Sequence, residues 1–507
     1  MFTGSDTTAT FLIVLSALGI LAWGYNRARP YGKLGVIAWL QSVILIAPWL
    51  IFFSLFAVGV YLNIVGILLL LLISVGIYIY LGRKLRAEGQ EAMLRERASR
   101  RLKEQEEVTS TPQPTDTFSA AKESTEGEFT PEIIPIPEED LNIIRGIFGI
   151  DTFFATETIP YQEGAIFKGN LRGEPEEAHS RLSTNLKNLL GDKYRLFLVE
   201  SPEGKPTIIV LPSSNDPQPS TTAQKFLALA LLIVTIATTL EAAGLLLSFD
   251  LFSNINRLGE ALPLSLGILG LLAAHEIGHL VAAKRYNVRL SFPFLIPSWQ
   301  IGSFGAITRF ESLLANRTVL FDIALAGPAS GGIVSLLMLV TGLILSHPGS
   351  LFQLPSQFFQ QSVLVGTLAK AILGSALQEP LVDIHPLTII GWLGLVITAL
   401  NLIPAGQLDG GRIVQAIYGR KIARRTTIAA LVILGIVALV NPVNPIPLYW
   451  AILILFLQRD LERPSLNELT EPDDARAALG LLALFLMLTA LIPLTPSLAG
   501  SLGIGGS

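Results

Sequence analysis

Leu271 to Lys284 reads LLAAHEIGHLVAAK. The stretch is apolar enough for a membrane-spanning helix, yet it carries His275, Glu276 and His279 within five positions. An ionisable side chain at the centre of a bilayer costs about 2.5–3.5 kcal/mol or more, so such residues mark a site with partners. His275 and His279 are four residues apart, which puts them one turn apart on one helix face. Glu276, beside the first, can reach water held between the imidazoles. This H-E-x-x-H spacing supplies two zinc ligands and a general base. The plainer alternative is two histidines satisfied by backbone carbonyls inside a helix bundle.

The rest of the chain agrees with a membrane setting. Of 507 residues, 51% are hydrophobic and 15% charged, with mean hydropathy +0.55. That balance fits a polytopic α-helical membrane protein embedded in a lipid bilayer. A net charge of −4 and the lack of a basic, aromatic-laced surface give no reason to expect nucleic acid as a partner. The absence of cysteine excludes disulfides, thiolate zinc sites and cysteine catalysis. A metal would need His, Asp or Glu.

Hydropathy gives about ten apolar segments, eight to ten of them crossing, judged against the ~20 residues a helix needs. They fall near 8–25, 34–57, 58–81, 226–249, 262–284, 319–346, 386–404, 427–441, 446–458 and 475–495. The first comes after MFTGSDTT, which has no Lys or Arg, and precedes NRAR without a small-residue cleavage site; it reads as a retained anchor. Basic residues come after the odd-numbered spans: Arg27, Arg29 and Lys33; Arg83, Lys84 and Arg86; Lys284, Arg285 and Arg289; Arg420, Lys421, Arg424 and Arg425. These loops are expected on the cytoplasmic side, with the N-terminus opposite.

The chain thus divides into a three-span part (1–82), a charged then flexible linker (83–140), a small cytoplasmic α+β domain (141–215), a membrane core (225–460) and a C-terminal span and tail (461–507). In the α+β domain, EEDLNIIRGIFG and EPEEAHSRLSTNLKNLLG have helical spacing. TFFATETIPY, GAIFKGNLRG, YRLFLVESP and KPTIIVLP read as strands, with a turn at Glu203-Gly204.

A zinc site built on two histidines needs a third protein ligand. His179, His347 and His385 read as ordinary surface or loop residues. NLIPAGQLDGGR, Asn401 to Arg412, closes the 386–404 run at the same membrane face as the H-E-x-x-H helix end. Asp409 offers an oxygen ligand, Pro404 and Gly406 break the helix, and Gly410 and Gly411 permit close backbone approach to a metal. Taken alone, Asp409-Gly410-Gly411 is equally a turn that ends a span.

Together the two motifs resemble the site-2 protease family of intramembrane zinc metalloproteases. That family pairs H-E-x-x-H with N-x-x-P-x-x-x-x-D-G on a later span, matched here by Asn401, Pro404, Asp409 and Gly410. The resemblance covers roughly residues 225–460. It implies one zinc ion per chain held by His275, His279 and Asp409, with Glu276 as catalytic base. Asn401 would either donate to the oxyanion or fix the unwound backbone. The implied activity is hydrolysis of peptide bonds within or near transmembrane segments of membrane-protein substrates, as in regulated intramembrane proteolysis.

KGNLRG, Lys168 to Gly173, narrows the resemblance. Gly169, Asn170, Leu171 and Arg172 ahead of the core are similar to the plant and cyanobacterial branch named for its ethylene-dependent gravitropism-deficient and yellow-green mutants. Gly169-Asn170 is otherwise a simple turn. No transit-peptide pattern is present, so the expected setting is a cyanobacterial plasma or thylakoid membrane.

RLSFPFLIPSWQIGSFGAITRFES, Arg289 to Ser312, bears on the substrate. Pro293, Pro297, Gly302 and Gly305 exclude a regular helix, and FGAITRF favours extended chain. A re-entrant hairpin could receive an unwound substrate as an added strand through Gly302, Gly305, Ala306 and Thr308; the alternative is a connecting loop. LAGPASGG, Leu325 to Gly332, suits close helix packing. Two rival classes stand beside the protease: a divalent-ion transporter using the same buried groups, and a catalytically silent scaffold.

Overall fold

The computed structural model describes residues 24–26, 28–57, 70, 73–74, 76–77, 80–82, 84–85, 136–161, 163–201, 203–441, 444–458 and 460–504. The chain divides into two compact units, residues 1–129 with 438–445, and 130–437 with 446–507. In the first unit, α1 (Gly32–Ala57) takes up the second expected apolar run and carries Pro48 in its interior. Almost all of the 8–25 run, most of 58–81 and the linker 86–135 lie outside the described residues.

The second unit opens with the α+β domain: α2 (Glu138–Gly146), β1 (Phe153–Tyr161), β2 (Gly164–Leu171), α3 (Pro175–Leu190), β3 (Tyr194–Glu200) and β4 (Pro206–Pro212). The strands form one antiparallel sheet in the order β1-β2-β4-β3. Alternation sets the faces: Tyr194, Leu196 and Leu198 of β3 point inward and the residues between them do not. On α3, Ala178, Leu182 and Leu186 recur every four residues and bury one stripe. Phe153, Phe167, Leu182 and Ile208 share that core, each side chain contributing about 1.5–3 kcal/mol by leaving water.

The membrane core comes next. α4 (Thr222–Leu246) starts at a capping box: Thr221 Oγ1 accepts from the Gln224 N–H at 3.3 Å, and Gln224 Oε1 accepts from the Thr221 N–H at 3.0 Å. Then come α5 (Leu258–Arg285), the antiparallel hairpin β5 (Phe294–Ser298) with β6 (Gly302–Ile307), and α6 (Arg317–Leu345). Residues 346–385, with no expected structure, fold as a pair of strands, β7 (Phe352–Pro355) and β8 (Leu381–Ile384), around α7 (Val363–Leu373). The chain ends with α8 (Pro386–Asn401), α9 (Asp409–Val440), α10 (Ile446–Leu453), α11 (Asp474–Leu491) and α12 (Pro496–Leu502).

Among the described residues five helices are long and apolar enough to cross a membrane: Thr222–Leu246, Ile255–Arg285, Arg317–Leu345, Asp409–Val440 and Asp474–Leu491. The expected count of about ten is not confirmed among the described residues. The 386–404 run forms a helix of only 16 residues and the 446–458 run one of 8 followed by a π-turn. The 427–441 run lies in a helix of its own, 420–440: Gly419 (φ 78°) separates it from 409–418, and the chain turns back there, because the Gly406 N–H donates to Thr427 Oγ1 at 2.8 Å. Arg420, Lys421, Arg424 and Arg425 open this second helix, directly after the reversal at Gly419.

Small residues bring α5 directly against α6. A β-carbon on Gly278 of α5 would lie 2.1 Å from Ser330 Oγ and 2.4 Å from the Ala326 carbonyl oxygen of α6. Ser330 Oγ in turn donates across to the Ala274 carbonyl at 2.8 Å. The small residues of Leu325–Gly332 thus serve close packing, as their composition suggests. Glu241, the other carboxylate deep in an apolar run, is 1% exposed and accepts from the Leu251 N–H at 3.0 Å, closing the turn beyond α4.

Candidate metal centre

α5 presents two faces. Ile277, Leu280 and Val281 are exposed apolar residues facing outward, while His275 and His279 are buried toward α6 and the start of α9. Asp409 is the first residue of α9, where the unsatisfied N–H groups of a helix terminus favour a carboxylate. The sequence makes that start by breaking α8 at Leu402 and folding back through Pro404. A β-carbon on Gly410 would lie 1.9 Å from the Leu402 carbonyl oxygen, and one on Gly411 2.3 Å from that of Gly406. These glycines serve the fold-back itself, in place of the close approach to a metal expected of them.

His275 Nε2 lies 3.2 Å from Asp409 Oδ2 and 3.2 Å from His279 Nε2, and His279 Nε2 lies 3.4 Å from Asp409 Oδ2. His279 Nδ1 lies 2.8 Å from the Ile323 carbonyl oxygen. A carbonyl can only accept, so the ring proton sits on Nδ1 and Nε2 keeps its lone pair. Lone pairs converging in a buried pocket repel unless a cation or proton lies among them. Tetrahedral zinc with bonds of about 2.0 Å has ligand–ligand edges of about 3.3 Å, which is the triangle found here. The three residues fit zinc, and they are the one such His/Cys/Asp/Glu group among the described residues.

Glu276 is half-buried beside this triangle, and its Oε2 accepts from Thr308 Oγ1 at 2.8 Å. The extended shape expected for residues 289–312 is present, and the hairpin reaches the centre. Asn401 Nδ2 donates to the Ile397 carbonyl at 2.9 Å and to that of Phe304 in β6 at 3.4 Å. A β-carbon on Gly305 would stand 2.6 Å from that nitrogen. Of the two roles considered for Asn401, its amide occupies the backbone-holding one. Gly302 packs on Thr239, its carbonyl accepting from Thr238 Oγ1 at 2.6 Å, while Ala306 pairs with Leu295. Two spaces of about 10 Å³ flank the centre, one along His275, Glu276 and Asn401, the other along His279, Thr308 and Asp409. Each holds about one water.

Several residues went unanticipated. Arg412, 5% exposed, donates from Nη2 to the Thr308 carbonyl at 2.8 Å and from Nε to Glu462 Oε2 at 3.0 Å, with its Nη1 3.9 Å from Asp409 Oδ1. Gln415 brackets Glu462 from both sides, its Nε2 donating to the Glu462 carbonyl at 3.2 Å and its Oε1 accepting from the Glu462 N–H at 3.0 Å. Arg412 stands three residues after Asp409, a signal the sequence offered. Glu462 lies in a stretch that reads as a tail and carries none. Gly327 of α6 is the fourth: a β-carbon there would lie 2.2 Å from His279 Nε2.

The remaining motif residues lie elsewhere. Gly169 lies in β2 opposite Ala155, where a β-carbon would stand 2.1 Å from the Phe154 carbonyl oxygen, while Asn170 and Leu171 end the strand paired with Phe154 and Phe153. The Arg172 N–H donates to the Thr152 carbonyl at 2.8 Å. GNLR therefore closes a strand pair and contributes nothing to the metal centre. His179 packs between α3 and β3 with Nε2 3.2 Å from the Leu196 carbonyl oxygen, and burial lowers its pKa. His385 caps α8, its Nδ1 accepting from the Leu387 N–H at 3.3 Å, and His347 Nδ1 lies against the Pro348 carbonyl.

Residues 263–441 match the family profile of Peptidase family M50, and residues 142–219 that of the EGY3 middle domain. The chain is 40% identical over 366 residues to "Probable zinc metalloprotease EGY2, chloroplastic" of Arabidopsis thaliana, covering 71% of this chain and 65% of that protein. To "Probable zinc metalloprotease EGY1, chloroplastic" of the same plant it is 37% identical over 411 residues, covering 72% and 73%. To "Probable zinc metallopeptidase EGY3, chloroplastic" it is 32% identical over 377 residues, covering 70% and 65%. The matched region spans about two thirds of the length of these relatives. No solved structure matches the chain.

Proposed function

The chain belongs to peptidase family M50, the site-2 proteases, and from that premise we propose that it is an intramembrane zinc metalloprotease. It hydrolyses peptide bonds within or beside the transmembrane segments of other membrane proteins. The observation that carries this reading is the buried triangle of His275, His279 and Asp409 with Glu276 at its side. His275, His279 and Asp409 would hold zinc, which would supply Lewis acidity toward water and the peptide carbonyl. Glu276, through the oxygen that Thr308 leaves free, would accept a proton from the attacking water and return it to the leaving nitrogen. Arg412 fixes the Thr308 carbonyl and so keeps the Thr308 hydroxyl aimed at Glu276.

Water-sized spaces admit no peptide, so the β5–β6 hairpin has to give way on substrate entry. The side chains of Asn401 and Arg412 occupy the carbonyls of Phe304 and Thr308. An unwound substrate has free N–H groups that need partners in the membrane, and it can take these carbonyls over as an added strand. Gly302, Gly305, Ala306 and Thr308 line that path. The names of the relatives support a photosynthetic membrane as the setting, a thylakoid or plasma membrane in a cyanobacterium or a plastid membrane. The 8–25 and 58–81 runs belong to the same proposal as further spans.

Purified Glu276→Gln is expected to keep one zinc per chain and to lose cleavage of a transmembrane substrate by about 100-fold or more. His275→Ala and His279→Ala should lose the metal, and Asp409→Asn should hold it more weakly under mild chelation. Near-normal cleavage by the Glu276 variant would remove Glu276 from the role of base.

A further inference from the structure

Beyond the centre the hairpin strand continues along a larger cavity. This space of about 170 Å³ is lined by Gln218, Arg309, Glu311, Gln407, Glu462 and Arg463, among others. Gln407 also lines the small space beside His279 and Asp409, so the two adjoin. One edge of the extended segment 309–311 is taken: the Ser291 N–H donates to the Arg309 carbonyl at 2.9 Å and the Glu311 N–H to the Arg289 carbonyl at 2.8 Å. In an antiparallel pair this turns the N–H and C=O of Phe310 to the opposite edge. That edge is covered only further on, where the Leu466 N–H donates to the Leu314 carbonyl at 2.9 Å. Phe310 thus presents an open backbone edge along the cavity, and the chain bends beyond it at Glu311 and Ser312.

The charges of the cavity are unevenly satisfied. Glu462 is paired with Arg412 at 2.9 Å, and Glu311 accepts from both the N–H and the hydroxyl of Ser220. Arg309 lies over the Phe294 ring, 5.1 Å from its centroid, and Arg463 donates to the Asn215 carbonyl at 3.2 Å. Neither has a carboxylate within ion-pair distance among the described residues. Glu462 is neutralised by Arg412 and Glu311 keeps its charge, which the two exposed guanidinium groups of Arg309 and Arg463 outnumber.

We propose that this cavity is a carboxylate-binding subsite for the stretch of substrate that leaves the catalytic centre on the side of the α+β domain. The proposal rests on the protease reading. The substrate continues as an extended strand past Phe310, and Arg309 and Arg463 receive its carboxylate. At roughly 3.3 Å per residue, positions beside and just beyond Phe310 correspond to about two to four residues from the scissile bond. Guanidinium groups suit carboxylates because two N–H donors match two oxygens. The carboxylate comes from an acidic side chain of the substrate or from the substrate's own C-terminus where it lies about two to four residues beyond the scissile bond.

The test uses the full chain in detergent and three fluorescent peptides sharing one apolar stretch. One ends in neutral residues with an amidated terminus, one carries two glutamates there with the same amide, and one is neutral with a free carboxylate. On the Glu276→Gln background the glutamate peptide is expected to bind about five-fold more tightly than the neutral amide, and a preference for the free-acid peptide would identify the chain end as the source. It should also shield a single thiol introduced by Gln218→Cys in this cysteine-free chain from alkylation. Arg309→Gln with Arg463→Gln should abolish the preference while leaving binding of the neutral amide unchanged on this background and its cleavage unchanged where Glu276 is retained. Equal binding of all three peptides, a preference that survives the double substitution, or an unshielded thiol would each overturn the subsite. Cleavage of the neutral amide by the unaltered protein reports on the protease reading separately. If no peptide is cleaved but the carboxylate preference holds, the protease reading fails and the subsite stands.

Discussion

Gly327 stands across from the His279 ring, and the room it leaves decides whether that imidazole can face Asp409. A β-carbon there would come within 2.2 Å of Nε2, the atom that has to bind metal, so the ring would be pushed out of the triangle. Gly→Ala in a helix is otherwise favourable by up to about 1 kcal/mol, so propensity and site geometry pull in opposite directions. Gly327→Ala is expected to fold and insert normally but to bind zinc at least about ten-fold more weakly, as changes to the groups that orient metal ligands do. Unchanged zinc content and activity in that variant would mean the ring has slack the structure does not suggest. The histidines themselves were legible because a four-residue spacing writes a shared face into one helix. Gly327 was not, because small residues in apolar helices serve packing in general. Only the fold brings this one against a ligand 48 positions earlier in the chain.

The hairpin of β5 and β6 is the element on which substrate handling turns. Its prolines and glycines excluded helix in the sequence, and the strands duly form, with φ of 85° at Gly302 and 106° at Gly305. Its clasp onto Glu276, Asn401 and Arg412 was not legible, since each contact joins segments far apart in the chain. The same reason hid the folded 346–385 segment and the 460–468 strap. The strap bonds to Leu198 of β3 through the Leu466 carbonyl at 2.8 Å and the Glu468 N–H at 2.9 Å. Ala306→Pro removes one N–H from β6 without touching any proposed ligand. It should keep zinc, lower cleavage of a transmembrane substrate several-fold, and affect a short extended peptide less, because that peptide needs less help to stay unwound. Equal loss on both substrates, or none, would return the hairpin to the rank of a connecting loop.

At the scale of the whole second unit, chain direction and charge agree on two faces. α5 and α8 run toward the metal centre and end on one face; α6, the 420–440 half of α9 and α11 start there. That face carries Lys284, Arg285, Arg289, Arg309 and Arg463, and the strap ties β3 of the α+β domain to it. The opposite face, where α6 ends, holds the β7–β8 pair and α7, and the Val363 N–H donates to the Ile492 carbonyl beyond α11 at 2.9 Å. Its described cations are few: Arg257, near the start of α5, and Lys370. Since cationic loops remain on the side from which a membrane protein is inserted, the face bearing the α+β domain is expected to be the cytoplasmic or stromal one. Because the chain has no cysteine, one thiol per variant reports the side without background. Ser214→Cys lies in the exposed turn after β4, and His347→Cys lies in the exposed turn after α6. In sealed vesicles with the native outer surface outward, an impermeant maleimide should label His347→Cys at once and Ser214→Cys only after detergent is added. Inverted vesicles should give the reverse order. Labelling of both positions from one surface would break the assignment of α6 as a full crossing, and with it the depth at which the metal centre is held. Labelling in the opposite order would keep the crossing but move the α+β domain, the carboxylate subsite and the path of the released product to the other side of the membrane.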